Sequence, residues 1–174
     1  MDELVPFGGP HYLLLLVLLI FARGMDFLST WVATPTLALE ANPVARWLGW
    51  EAGLGVNALL CAGLALWPLP AIAVATTSLL VASRNFQSAW VMRSLGEIEY
   101  RAWLRGTFAK GPAGLYWICL LAQVLLIAAV GAGLLAFSEL RLVPFAIGTG
   151  ILIFALVIFI FNALAARRLR RDVA

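Results

Sequence analysis

Four stretches of the chain, residues 4–22, 52–83, 111–138 and 142–166, contain no Asp, Glu, Lys or Arg. Their lengths of 19, 32, 28 and 25 residues match or exceed the roughly 20 residues a helix needs to cross a ~30 Å hydrocarbon layer. None shows the apolar–polar alternation of a membrane barrel strand, so each can meet its backbone hydrogen bonds in hydrocarbon only as a helix. Across all 174 residues 63% are hydrophobic and 12% charged, about half the charged share of a soluble domain. This pattern specifies an all-α integral membrane protein and excludes a soluble enzyme, a nucleic-acid binder and a secreted disulfide scaffold.

Helix breakers divide the apolar sequence further. Trp67-Pro68-Leu69-Pro70 interrupts the longest run, because two prolines remove donors and force a turn. Five transmembrane helices are expected in a single domain spanning 1–174, at about 11–34, 43–67, 71–93, 113–137 and 144–167. Asn42-Pro43 marks the second start, with a capping side chain followed by a proline at the first helical position. Cys61 and Cys119 lie inside apolar runs and read as buried small hydrophobes. Met1-Asp2-Glu3 is acidic, and the first run leads into Arg23-Gly24-Met25-Asp26 rather than a small-residue cleavage site, so this run is expected to be retained.

Five crossings put the termini on opposite sides. They also gather Arg93, Arg101, Arg105 and Lys110 of the third connection with Arg167, Arg168, Arg170 and Arg171 of the tail. The positive-inside rule then places the chain in the plasma (inner) membrane with its N-terminus outside and its C-terminus cytoplasmic. Asp2, Glu3, Glu139 and Arg141 fall on the other side. Tyr100, Trp103, Leu104, Thr107 and Phe108 follow a helical period, with Glu97, Arg101 and Arg105 on another face, which predicts a short interfacial amphipathic helix between helices 3 and 4. Gly131 and Gly133 reach the depth of Gly148 and Gly150, a pairing that lets the last two helices approach closely. The tail arginines suit anionic lipid at the cytoplasmic leaflet.

Function is sought among the polar groups that hydrocarbon makes costly, since a charge at the helix centre costs from ~3 kcal/mol upward unless paired or hydrated. Arg23, Asp26 and Thr30 share a face of the first helix, with Asp26 about 22 Å along it. On the third helix Arg84 lies about 21 Å along, beside Asn85 and on a face with Gln87 and Ser88. Glu40, Asn42 and Arg46 of the first connection sit within one or two turns of that layer, and Asn162 of the last helix arrives at similar depth. The candidate ligand-binding set is therefore Arg23, Asp26, Thr30, Glu40, Asn42, Arg46, Arg84 and Asn85, around a cytoplasm-facing cavity. Asp26-x3-Thr30 followed by Glu40-x-Asn42-Pro43-x2-Arg46 resembles the signature of a family of small multi-pass prokaryotic membrane proteins of unknown function. The resemblance implies no reaction, substrate or cofactor.

The arginines suit an ion, a small anion or an anionic lipid headgroup, bound or transported, because a guanidinium fork bonds oxyanions bidentately. An alternative is a metal-dependent enzyme in which Asp26, Glu40 and Asn42 hold a divalent cation and the arginines grip a lipid phosphate. Another is an accessory subunit that meets a membrane-protein partner or a second copy. Each has a plain structural counterpart: Arg23, Asp26 and Arg84 as an ion pair or triad fixing how the first and third helices pack, Asn42-Pro43 as a helix cap, and Thr30 bonding back to its own helix. Asn57 and Gln123 read as packing groups.

Overall fold

A computed structural model describes residues 4–171, with the side chains of residues 113 and 169–171 excepted. Asp2 and Glu3 and the side chains of Arg170 and Arg171, used in the orientation argument, lie outside the described residues. Those residues form six helices and no strand: α1 Pro10–Ala33, α2 Pro43–Leu64, α3 Pro68–Leu95, α4 Glu97–Lys110, α5 Ala113–Ala136 and α6 Leu142–Arg171. Proline opens three of them, at the position where its missing N–H is one the helix would leave unpaired anyway. Pro68 and Pro70 both fall in the first turn of α3, so the expected break narrows to Ala65–Trp67.

Among the described residues four helices are long and apolar enough to cross a membrane: Pro10–Ala33, Pro68–Leu95, Gly114–Ala136 and Leu142–Arg168. The second expected span is less regular. Within α2, Gly49 has φ 68° and ψ −169°, a region that only glycine occupies without strain. Gly96, with φ 79° and ψ 156°, turns the chain directly from α3 into α4.

Contacts along the helices fix their directions. Arg23 meets Ser78 and Thr30 meets Asn85, so α1 and α3 run the same way. Thr77 meets Gly150 and Arg84 meets Asn162, so α6 runs with them. Gly131 faces Gly148 while Tyr116 meets Asn162, which makes α5 antiparallel to α6. Because α1 and α3 are parallel, α2 carries the chain back from one end of the bundle to the other. The ends of α1, α3 and α6 and the starts of α2 and α5 share one end with α4, and Arg93, Lys110, Arg167 and Arg168 lie there.

The helix α3 is the axis, with α1 along one side and α6 along the other, and α5 on the far side of α6. Its buried residues Ala71, Ala73, Ala75, Ser78, Ala82 and Ala89 are all small. Small side chains matter here because lipid tails are as apolar as leucine, so helix association depends on close van der Waals approach. At one end Tyr12, Leu15, Leu19 and Ala22 of α1 pack with Cys61 of α2, Ala65 and the α3 residues Ala71 and Ala75. At α5–α6, a Cβ on Gly131 would lie 3.0 Å from Gly148 O, and one on Gly148 2.9 Å from Gly131 O. The other two expected glycine partners separate: Gly133 has nothing within 4 Å, whereas Gly150 abuts α3, where a Cβ would lie 2.5 Å from Ala73 O and 2.7 Å from Thr76 Cβ. Gly150→Ala is therefore expected to destabilise the bundle by about 1–3 kcal/mol through overpacking, and Gly133→Ala to be neutral, as measured by thermal unfolding of the purified protein in detergent.

Candidate functional site

One cavity of about 810 Å³ is lined by residues of all six helices, α5 contributing Tyr116, together with the α1–α2 connection. Seven of the eight expected site residues line it: Arg23, Asp26, Thr30, Glu40, Asn42, Arg84 and Asn85. Arg46 does not. It is exposed beside Trp47, while Val44, Ala45 and Leu48 of the same helical segment turn to the cavity. Depth counting places a residue along a helix but not around it when the neighbouring faces are unknown, and that is how Arg46 entered the set.

The inner wall is organised by Arg23. Its Nη1 donates to Asp26 Oδ2 at 2.8 Å and lies 3.2 Å from Ser78 Oγ, and its Nε donates to Asn57 Oδ1 at 2.7 Å. Asp26 and Arg23 are three apart on α1, a spacing that places both on one face. Asn57 is presented by a second bond, since its Nδ2 donates to Gly53 O at 2.8 Å and leaves Oδ1 directed at Arg23. Below this layer Asn85 Nδ2 donates to Ser29 Oγ and Thr30 Oγ1, both at 3.3 Å. Thr30 is thus tied to α3. Fully buried Ser29 instead makes the bond to its own helix, to Asp26 O at 2.8 Å.

Arg84 stands apart from the Arg23–Asp26 ion pair. Its Nη2 donates to Asn162 Oδ1 at 3.2 Å, and among the described residues it has no carboxylate partner. Asn162 repeats the device seen at Asn57: Nδ2 donates to Ile158 O at 2.7 Å, which turns Oδ1 toward the guanidinium. Tyr116 Oη donates to Asn162 O at 3.3 Å and ties α5 to the same spot. A guanidinium has five N–H donors, so Arg84 lines the cavity with most of its capacity unspent on protein. Asn57, Ser78 and Asn162 are site residues that sequence reasoning left aside or unranked, and the available signal was that each is a polar group inside an apolar helix.

At the mouth, Glu40 Oε1 accepts the Asn42 N–H at 2.7 Å and Asn42 Oδ1 accepts the Val44 N–H at 2.9 Å. The Glu-x-Asn-Pro sequence thereby builds its own cap for α2. Trp50 Nε1 donates to Pro35 O at 2.8 Å and fastens α2 to the preceding connection. That connection is also held from α4, because the Thr36 N–H donates to Glu97 Oε1 at 3.1 Å and the Thr36 hydroxyl to Glu97 Oε2. Partial burial pushes the Glu97 carboxyl up, but the hydrogen bonds from Thr36 and Thr34 and the Arg93 guanidinium nearby outweigh it and hold the group below the ordinary carboxylate range.

Asp26 and Glu40 both line the cavity, yet among the described residues no three His, Cys, Asp or Glu side chains converge as a metal-binding group. Comparison of the chain with family models, curated proteins and solved structures gives no match, so the chemistry of the cavity is argued from its own residues.

Two outcomes are expected. Asn57→Leu leaves the Arg23 Nε–H without its partner and should cost about 1–3 kcal/mol, read as a lowered midpoint in thermal unfolding, with faster hydrogen exchange in α2. Because the Glu97 carboxyl is held below its ordinary range in the folded state, its contact to Thr36 is complete above that range and lost as pH falls through the lowered value. Hydrogen exchange in residues 34–42 should accelerate on acidification through that region in the natural protein. In Glu97→Gln the pH-dependent acceleration at Thr36 should be absent once corrected for intrinsic exchange.

Proposed function

We propose that this is an integral plasma-membrane (inner-membrane) protein of five crossings, N-terminus outside and C-terminus cytoplasmic, whose cavity binds or transports an anion through Arg84. The fifth crossing is α2. Its support is the parallel course of α1 and α3, which requires the chain to return along the bundle between them. The orientation draws on the basic residues gathered at the end where α4 lies, the side that membrane insertion keeps in the cytoplasm. There α4, with Trp103 exposed, rests along the interface as an amphipathic helix.

The observation that carries the anion reading is the pairing of the two arginines. Arg23 is spent on Asp26, Asn57 and Ser78, whereas Arg84 faces the cavity with one neutral partner. A cation kept in a bundle crossing hydrocarbon is costly unless a counter-charge or water meets it. A phosphate or carboxylate supplies that charge in the geometry the guanidinium fork favours. Arg23 and Asp26 then serve as the fixed wall, and Asn85 and Asn162 add neutral hydrogen-bonding groups beside the anion.

Calorimetric titration of the purified protein with inorganic phosphate tests this. Arg84→Gln is expected to weaken binding at least ~10-fold, in the range of a lost charge-assisted hydrogen bond, while Arg46→Gln, outside the cavity, leaves it unchanged. Equal affinity in Arg84→Gln and the natural protein would overturn the reading.

A further inference from the structure

The cavity has an unclosed side. Along its length α2 leans on α1: Tyr12 Oη donates to Ala62 O at 3.3 Å, Arg23 holds Asn57, and Gly53 packs against the Phe27 ring. Among the described residues no comparable packing joins α2 to α6. Val56 and Leu60 of α2 line the cavity and are nevertheless 40% and 52% exposed. Phe154 and Val157 of α6 and Val81 of α3 line the same cavity. Since α2 and α6 both line the cavity without packing on each other, the cavity meets its surroundings between them, and around a membrane-crossing helix those surroundings are acyl chains.

Polarity is graded along the same direction. Asn57 is level with Arg23 and Ser78, and Leu60 lies one turn further from the basic end. Phe154 and Val157 fall between the Thr77–Gly150 and Arg84–Asn162 contacts. On its α6 side the cavity is thus apolar in the middle of the bundle, level with the paired Arg23 and Asp26 of the α1 wall, Arg84 and Asn162 come next, and the basic end follows. A phospholipid of that leaflet has the same order, with its chain toward the membrane centre and its phosphate a step outward.

We propose that the occupant of the cavity is a phospholipid that enters between α2 and α6, its phosphate on Arg84 and its acyl chain along Leu60, Phe154 and Val157. The proposal rests on the anion reading above and names its ligand. A free anion uses the guanidinium and leaves the apolar cleft unfilled, whereas a chain displaces water or detergent from it, and each buried methylene is worth about a fourfold gain in affinity.

The test compares three probes on the full chain in detergent: lauroyl lysophosphatidylglycerol, monolauroylglycerol and inorganic phosphate, the first two by native mass spectrometry and the last by calorimetry. The lysophospholipid is expected to bind at least ~10-fold more tightly than either of the others, as phosphate and chain act together. Arg84→Gln should abolish its advantage over monolauroylglycerol. Val157→Trp, which fills the cleft, should block the lysophospholipid and leave phosphate binding intact, provided the thermal transition is retained; Leu60→Trp is the second cleft-filling variant. Arg84-dependent phosphate binding with no added affinity for the lysophospholipid would overturn the lipid proposal alone and leave the anion reading standing. No dependence on Arg84 for any probe would overturn both. Disulfide-linked dimers of Leu60→Cys that form in the membrane and exclude the lysophospholipid would assign the cleft to a second copy of the chain.

Discussion

Arg23 draws one partner from each of three helices: Asp26 from its own, Asn57 from α2 and Ser78 from α3. In a bundle crossing hydrocarbon, a guanidinium has to find its acceptors within the chain or in trapped water. Meeting that requirement sets the height of α2 against α1 and the height of α3 against both. The link to Asn57 also holds α2 to the bundle, as do Tyr12 to Ala62 near one end and Trp50 to Pro35 near the other. A helix held at points rather than by continuous interdigitation leaves space on its unattached side, and the cavity is that space.

Packing elsewhere is of the opposite kind. Alanines and one serine bring α3 against α1 and α6, and glycines let backbone approach backbone at Gly131–Gly148 and at Gly150–Ala73. Thr77 Oγ1 lies 2.9 Å from both Ala73 O and Gly150 O, so the closest α3–α6 approach is also hydrogen-bonded. The dense row of α1, α3, α6 and α5 forms a rigid back wall on which Arg23, Arg84 and Asn85 are fixed. Against it, the interruption of α2 at Gly49 and the cap built by Glu40 and Asn42 shape the mouth. Dense packing and open space therefore divide by helix, the first in the row and the second beside α2.

Much of the fold was legible in the residues because hydrocarbon restricts what they can do. Uncharged runs had to be helical, prolines could start helices but not lie within them without cost, and counting 1.5 Å per residue put Asp26 and Arg84 near one depth. The same counting cannot fix rotation about the helix axis. Arg46 accordingly lies outside the cavity, Arg84 bonds to Asn162 of α6 rather than joining the Arg23–Asp26 pair, and Asn57, a packing group by sequence, orients Arg23. Gly133 and Gly150 fail to pair for a related reason. With Gly131 opposite Gly148 in antiparallel helices, Gly133 and Gly150 fall on opposite sides of that contact, and Gly150 faces α3.

What the sequence by itself determined is the material and the layer: an all-helical chain for a membrane, its breaks at prolines and glycines, and a band of scarce polar groups at a common depth. Those follow from local chemistry, since charge, cyclic side chains and rise per residue act without knowledge of neighbours. Only the tertiary structure decided which faces meet, so that one arginine is spent on holding three helices and the other is left facing a cavity. That distinction depends on which helix lies beside which, and no property of a single helix encodes it.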